Sequence, residues 1–180
     1  YEYFKFSNKP ILIVGAGVKS KTNEKLFKKF IKKFNLPFVT TWNSADIEPT
    51  NFSNHMGIIG MSGQRGANKA VFNSDLIVCL GTHLAIPHTT TLYESYAPTA
   101  KKIIVNIDKD ELSHLNVKFD MKINDDVKNF FSFFLNKNIK FNADPKKFHR
   151  YKRLNWYEPK VENKPNSNKF INTLTKSIKE

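Results

Sequence analysis

The sequence predicts an α/β fold: a parallel sheet with helices on both faces, in three αβα layers. Three observations carry that expectation. Ile11–Gly17 (ILIVGAG) and Leu76–Gly81 (LIVCLG) are apolar runs ending in glycine, as buried parallel strands entering tight turns do. Apolar stripes at helical spacing lie between such runs. Strand-like and helix-like segments alternate with short turns, the pattern of repeated strand–helix–strand units.

Lys9-Pro10 leads into the first strand. A helix follows from Thr22, a plausible N-cap by residue type, to Phe34. Its inner face holds Leu26, Phe27, Phe30, Ile31 and Phe34, with Lys28, Lys29, Lys32 and Lys33 opposite. Pro37–Thr41 (PFVTT) reads as a second strand. Trp42–Ile59 shows no sustained period and is expected to be loop with a short helix. Gln64–Asn73 is a helix with Ala67, Ala70 and Val71 turned inward. Leu76–Leu80 and Ile103–Ile107 are buried strands, separated by a loop with a helical turn near Tyr93. Phe119–Ile123 alternates and reads as an edge strand. Asn124 or Asp125 is then expected to cap a helix to about Leu135, with Val127, Phe130, Phe131, Phe134 and Leu135 as its stripe. After about Phe141 the composition shifts to Lys, Asn and Pro, as in a linker. Lys169–Lys179 reads as a last helix, with Phe170, Leu174 and Ile178 at fourfold spacing. Residues 1–140 are therefore expected to form one domain, and 141–180 a linker with the first helix of the next. The opening at Tyr1, a few residues before a buried strand, suggests a piece of a longer polypeptide.

The 180 residues carry a formal net charge of +13, which raises nucleic acid or a membrane surface as partners. The distribution argues against both. Residues 1–36 hold nine lysines against two acids, whereas 37–100, which hold most of the glycine motifs, have two basic residues against four acids. Only Arg65, Arg150 and Arg153 offer the arginine fork that base and phosphate readers favour. Solvated surface is the better reading. No apolar run approaches the roughly 18 residues of a membrane span. The single cysteine, Cys79, excludes an internal disulfide and suits a reducing compartment, the cytoplasm.

Few motifs look able to do chemistry. Gly15-Ala16-Gly17 after the first strand invites the dinucleotide fingerprint, but Ser20 stands at the third glycine position. The second strand ends in Thr40 and Thr41 rather than an acid for a ribose hydroxyl. Lys19-Ser20 resembles the end of a P-loop with the wrong glycine spacing before it. The histidines (His55, His83, His88, His114, His149) show no metal-ligand spacing. Ser62 in GMSGQ lacks the second glycine of a nucleophile elbow. Asp46 and Glu48 have no evident partner. Asp108, Asp110 and Glu111 follow a buried strand; capping the next turn is their expected task, though an acid there could also reach an adenine or ribose.

ILIVGAGV, LPFVTTW, HMGIIGMSGQRGANKAVFNSDLIVCLGT and YAPTAKKIIVNIDKDEL occur in that order. Together they resemble the central domain of thiamine-diphosphate-dependent enzymes of the acetolactate synthase type, over about residues 8–135. The resemblance implies a three-domain enzyme that makes or breaks carbon–carbon bonds beside a 2-oxo group, a transferase or lyase. Thiamine diphosphate would carry the reaction and Mg²⁺ would bridge its diphosphate. In that family the activating glutamate lies in the preceding domain and the GDG…Asn metal motif in the following one. This stretch contains neither, so no catalytic or metal residue is expected here and the piece should be inert alone. The expected partners are flanking domains of the same chain, a second copy in a homo-oligomer, and a small 2-oxo acid, with neither nucleic acid nor membrane.

The central domain of the family is Rossmann-like, an NAD/FAD-binding type. Some members hold FAD there, others ADP or nothing. The matching cofactor-binding positions are Gly15, Ala16, Gly17, Thr40, Thr41, Gly60, Met61, Ser62, Gly63, Gly81, His83, Asp108, Asn124 and Asp125. Flavin-binding relatives often read GARFDDR where this chain reads GTHLAIPH. His83 thus replaces an arginine that could grip a diphosphate with a bidentate fork, so FAD is not favoured. The alternatives are an independent NAD-binding enzyme of sirtuin or deoxyhypusine-synthase shape and a basic nucleic-acid binder.

Overall fold

A computed structural model of the chain describes residues 1–89, 91, 93–155 and 167–178. Six parallel strands form one sheet: β1 (Pro10–Val14), β2 (Phe38–Thr40), β3 (His55–Ile58), β4 (Leu76–Leu80), β5 (Lys101–Asn106) and β6 (Met121–Asn124). Their order is β3-β2-β1-β4-β5-β6. The chain winds outward from β1 to β3, then crosses back to β4 and winds the other way. The connections therefore diverge between β1 and β4, and a crevice opens there at the carboxyl ends of the strands.

Eight helices accompany the strands among the described residues: α1 (Glu2–Phe6), α2 (Lys21–Phe34), α3 (Arg65–Phe72), α4 (Ile86–Thr89), α5 (Lys109–Ser113), α6 (Val127–Leu135), α7 (Lys146–Lys152) and α8 (Ser167–Ser177). Strand alternation divides the core in two. Leu12, Val14, Val78 and Val105 face a phenylalanine-rich layer of Phe4, Phe27, Phe30, Phe34, Phe131 and Phe134 from α1, α2 and α6. Ile11, Ile13, Ile77, Cys79 and Ile104 face the opposite layer, where Ala67, Ala70 and Val71 bring α3 close and Phe148 and Tyr151 of α7 fill in. Both faces are covered, as the continuous apolar runs require. Burial pushes the Cys79 thiol far up, so it packs as a small apolar side chain.

The structure departs from the sequence expectations at several points. Ser20, not Thr22, caps α2, accepting from the Asn23 backbone N–H at 3.3 Å. Asp126, not Asn124 or Asp125, caps α6, accepting from the Lys128 N–H at 2.8 Å. Residues 55–58 form β3 rather than loop; the strand is four residues long and interrupted by Gly57 at φ 117°, too short and irregular to show a period. The short helix α1 was not anticipated. Phe141 does not depart into a linker: its ring stacks on Phe4 and on Phe34, each at 4.3 Å. Residues 146–152 are helical and carry Phe148 and Tyr151 into the core, so the folded unit continues past residue 140. Lysine-rich composition hid a helix that buries only two aromatics. The last expected helix is present as α8, with Phe170 and Leu174 exposed; Ile178, also exposed, follows its end at Ser177, and Lys179 lies outside the described residues.

Buried His55 stacks on Phe38 at 4.8 Å, with Nε2 3.2 Å from Thr40 Oγ1 and Nδ1 3.2 Å from the Glu48 carbonyl. Desolvation lowers its pKa below the ordinary 6.5. The unfolded imidazole thus takes a proton that the folded one refuses. The stability contributed is fully present above pH 6.5 and is lost as pH falls below it. His88 is shifted the same way, again mainly by burial. Urea midpoints should therefore fall more steeply between about pH 7.5 and about pH 5.5 in the parent than in His55→Gln. Parallel slopes would contradict this.

Candidate functional site

The crevice between β1 and β4 is built on backbone contact. Gly17 donates its N–H to the Gly81 carbonyl at 3.0 Å, Gly15 donates to the Leu80 carbonyl at 2.9 Å, and Gly81 donates to the Val105 carbonyl at 3.1 Å. A Cβ at Gly15 would lie 2.3 Å from Gly81 O, and one at Gly17 2.9 Å from Gly81 Cα. Gly81 itself has φ +58°, a conformation side chains rarely adopt. The glycines therefore let the turn after β1 and the turn after β4 touch. Val18 and Lys19 send their N–H groups back to Gly15 and Ala16, at 3.1 and 2.9 Å. In a dinucleotide site such N–H groups face the ligand; here they are already bonded.

Above this floor is a crevice of about 680 Å³. Of the expected site residues, Ala16, Gly17, Thr41, Gly81, His83 and Asp108 line it. Gly15 lies beneath them, against Gly81 and Thr82. Alternation separates the threonine pair: Thr40 is buried against His55, whereas Thr41 reaches the crevice and lies 3.1 Å from Ser44 Oγ. Gly60 and Met61 border a separate hollow of about 290 Å³ beside α3. Ser62 and Gly63 form a tight turn there, Gly63 donating to the Gly60 carbonyl at 3.0 Å. Asn124 laces β6 to β5, donating to the Asn106 and Ile107 carbonyls at 3.1 and 2.8 Å. Asp125 accepts from the Asn129 side chain at 2.7 Å. None of Ser62, Gly63, Asn124 and Asp125 is among the crevice-lining residues.

The wall also contains Glu111, one of the acids noted after the buried strand, and Asn23, His88, Asn106 and Asp126, which sequence reasoning did not select. Asn23 and Asp126 lie in or at the start of helices whose N-termini meet the sheet's carboxyl edge. Their polar character at a helix start was the available signal, but the sequence reading placed the caps at Thr22 and at Asn124 or Asp125 and passed over both residues. Asn23 donates to the Gly17 carbonyl at 3.0 Å, bracing the floor. Asp108 caps α5, accepting from the Asp110 and Glu111 N–H groups at 2.9 and 3.1 Å.

The electrostatics of this wall are acidic. Asp108, Glu111 and Asp126 line it, and no lysine or arginine is among its described lining residues. His83 Nδ1 lies 2.8 Å from the Glu111 carboxylate. His88 has its pKa lowered by burial first and His83 second, so it is a neutral imidazole near pH 7. Its Nδ1 and the Tyr96 hydroxyl are buried polar atoms without a hydrogen-bond partner. Lys19, which follows the glycine turn, pairs instead with Asp46 at 2.9 Å and lowers that carboxyl's pKa. Asp46 and Glu48 thus have partners after all, Glu48 pairing with Lys28 at 3.6 Å. Three carboxylates line the crevice with no lysine or arginine among its described lining residues, and the N–H groups of Gly17, Val18 and Lys19 are already bonded, a setting that disfavours a flavin or ADP diphosphate. Among the described residues no three His, Cys, Asp or Glu side chains are placed to hold a metal ion, and no helix is long and apolar enough to cross a membrane.

Residues 1–133 match the family described as "Thiamine pyrophosphate enzyme, central domain". The chain is 34% identical over 130 residues to the acetolactate synthase large subunit of Haemophilus influenzae, covering 72% of this chain and 22% of that one. It is 34% identical over 123 residues to an acetolactate synthase of Mycobacterium avium (68% and 19%). It is also 30% identical over 116 residues to the 3D-(3,5/4)-trihydroxycyclohexane-1,2-dione hydrolase of Bacillus subtilis (64% and 17%). The chain spans about a fifth of the length of these relatives.

The floor contact predicts the cost of one methyl group. Gly15→Ala, whose Cβ would meet Gly81 O at 2.3 Å, should lower unfolding free energy by about 2–3 kcal/mol. Chemical denaturation of the variant measures it; a loss below about 0.5 kcal/mol would mean that the two turns are not in contact.

Proposed function

The chain belongs to the thiamine pyrophosphate enzyme central-domain family, and from that membership we propose that it is the scaffold domain of a larger acetolactate-synthase-like enzyme. The whole enzyme would depend on thiamine diphosphate and Mg²⁺ and would join or cleave carbon–carbon bonds of 2-oxo acids, as a transferase or lyase. Cofactor and metal would be held by domains flanking this one, with α8 the first helix of the domain that follows. The enzyme would work in the cytoplasm as a homo-oligomer. Relatives named both as synthases and as a hydrolase share this domain, which suits a part that supports the reaction without choosing it.

The observation that carries the reading is the crevice. It occupies the position where α/β folds hold ligands, yet its carboxylates are not arranged as a catalytic set. Asp108 and Asp126 accept from helix N–H groups and Glu111 is bound to His83. No serine or cysteine is among its described lining residues: the buried Cys79 thiol is held protonated, and Ser62 lies off the crevice. We read the crevice as a vestige of nucleotide geometry, kept for the packing of two turns.

Full-length protein supplied with thiamine diphosphate, Mg²⁺ and pyruvate should release CO₂ or form acetolactate, while residues 1–155 alone should give neither. Turnover by the short piece would overturn the scaffold reading. The purified full-length protein should show no flavin band near about 450 nm. His83→Arg should tighten ADP binding by about tenfold, because it adds a diphosphate fork to a wall with no lysine or arginine among its described lining residues. Stoichiometric yellow colour in the parent would contradict the reading that disfavours flavin.

A further inference from the structure

The first turn of α3 is satisfied from an unexpected place. A helix leaves its first N–H groups without intrahelical partners, and the N-cap side chain usually answers one of them. The N-cap of α3, Gln64, makes no such bond. Its Oε1 instead accepts from the Ile58 N–H at 2.9 Å. The Ala67 N–H, in that first turn, is answered by Asn155 Oδ1 at 3.2 Å, 88 residues further along the chain. The same amide donates through Nδ2 to the Met56 carbonyl of edge strand β3 at 2.7 Å. Lys152 adds a bond to the Phe52 carbonyl at 2.6 Å, and Tyr151 is buried in the core.

The sequence makes room for this arrangement. A Cβ at Gly66 would lie 2.0 Å from the Tyr151 carbonyl oxygen and 2.5 Å from Asn155 Oδ1. The glycine of QRGAN thus admits the chain's own return segment. From Ala67 the effect is passed on by the next residue. Asn68 Oδ1 accepts from the Gly60 N–H and Nδ2 donates to the Gly60 carbonyl, both at 2.9 Å. Met61, in the same turn, donates to the Pro87 carbonyl at 2.8 Å, next to His88 of the crevice wall.

We propose that Asn155 is a positioning residue: it is a remote N-cap for α3, through which the outgoing chain sets the Gly60–Gly63 turn. This deepens the scaffold reading and rests on it only for the claim that another domain follows Asn155. The cap itself involves this chain alone, so it can fail without that reading failing, and the reverse.

Amide hydrogen exchange on the full-length protein tests it. In Asn155→Ala, exchange at Ala67 and Gly60 should accelerate about tenfold while Val78 and Cys79 of β4 keep the parent rates. Asn155→Asp keeps an acceptor and should restore Ala67 to within about twofold of the parent. Gly66→Ala, which has no room for Tyr151, should reproduce the Asn155→Ala pattern. Unchanged exchange at Ala67 in Asn155→Ala would overturn the proposal. So would equal acceleration in β4, or failure of aspartate to restore protection.

Discussion

The close approach of two backbone turns, Gly15–Gly17 after β1 and Gly81 after β4, is the constraint on which the rest of the structure depends. These strands are neighbours where the winding of the sheet reverses, so their exits would diverge and leave a gap. Glycine on both sides lets the Gly17 N–H reach the Gly81 carbonyl. The contact joins the two halves of the sheet at its ligand-facing edge and consumes donors that a nucleotide would otherwise use. A feature resembling a phosphate cradle thereby becomes a structural seam.

Charge placement agrees with that reading. The net charge of +13 is carried largely by lysines outside the residues that hold the glycine motifs. At the crevice the balance reverses, with Asp108, Glu111 and Asp126 in its wall and Lys19 drawn aside by Asp46. Exposed lysine pairs of this kind contribute little stability, but they decide which charges a ligand meets. An anion drawn to the molecule by its overall charge would meet carboxylates where the fold offers a cavity.

Most of the sheet was legible because fully buried parallel strands are written as continuous apolar runs. Leu76–Leu80 is found within the bounds read from sequence, and the stripe of Phe27, Phe30, Ile31 and Phe34 does face the core. β3 was illegible because four residues with a glycine inside hold no period. α7 was illegible because its seven residues include four basic ones, and Phe148 and Tyr151 alone mark its inner face. Caps moved by one or two residues, since Ser20 and Thr22, or Asn124, Asp125 and Asp126, are equivalent by residue type. Half of the candidate site failed to converge for a similar reason. Motif positions adjacent in sequence point to opposite faces of a strand, as Thr40 and Thr41 do, and a glycine's purpose depends on what approaches it.

The seam can be examined directly through the amide resonances of Gly17 and Val18 in the full-length protein titrated with inorganic pyrophosphate. Because those N–H groups are bonded to Gly81 and Gly15, their shifts should stay unchanged and their exchange slow at every concentration. Saturable shifts at both amides would show that the turn opens to a diphosphate, and would contradict the view that it serves structure alone.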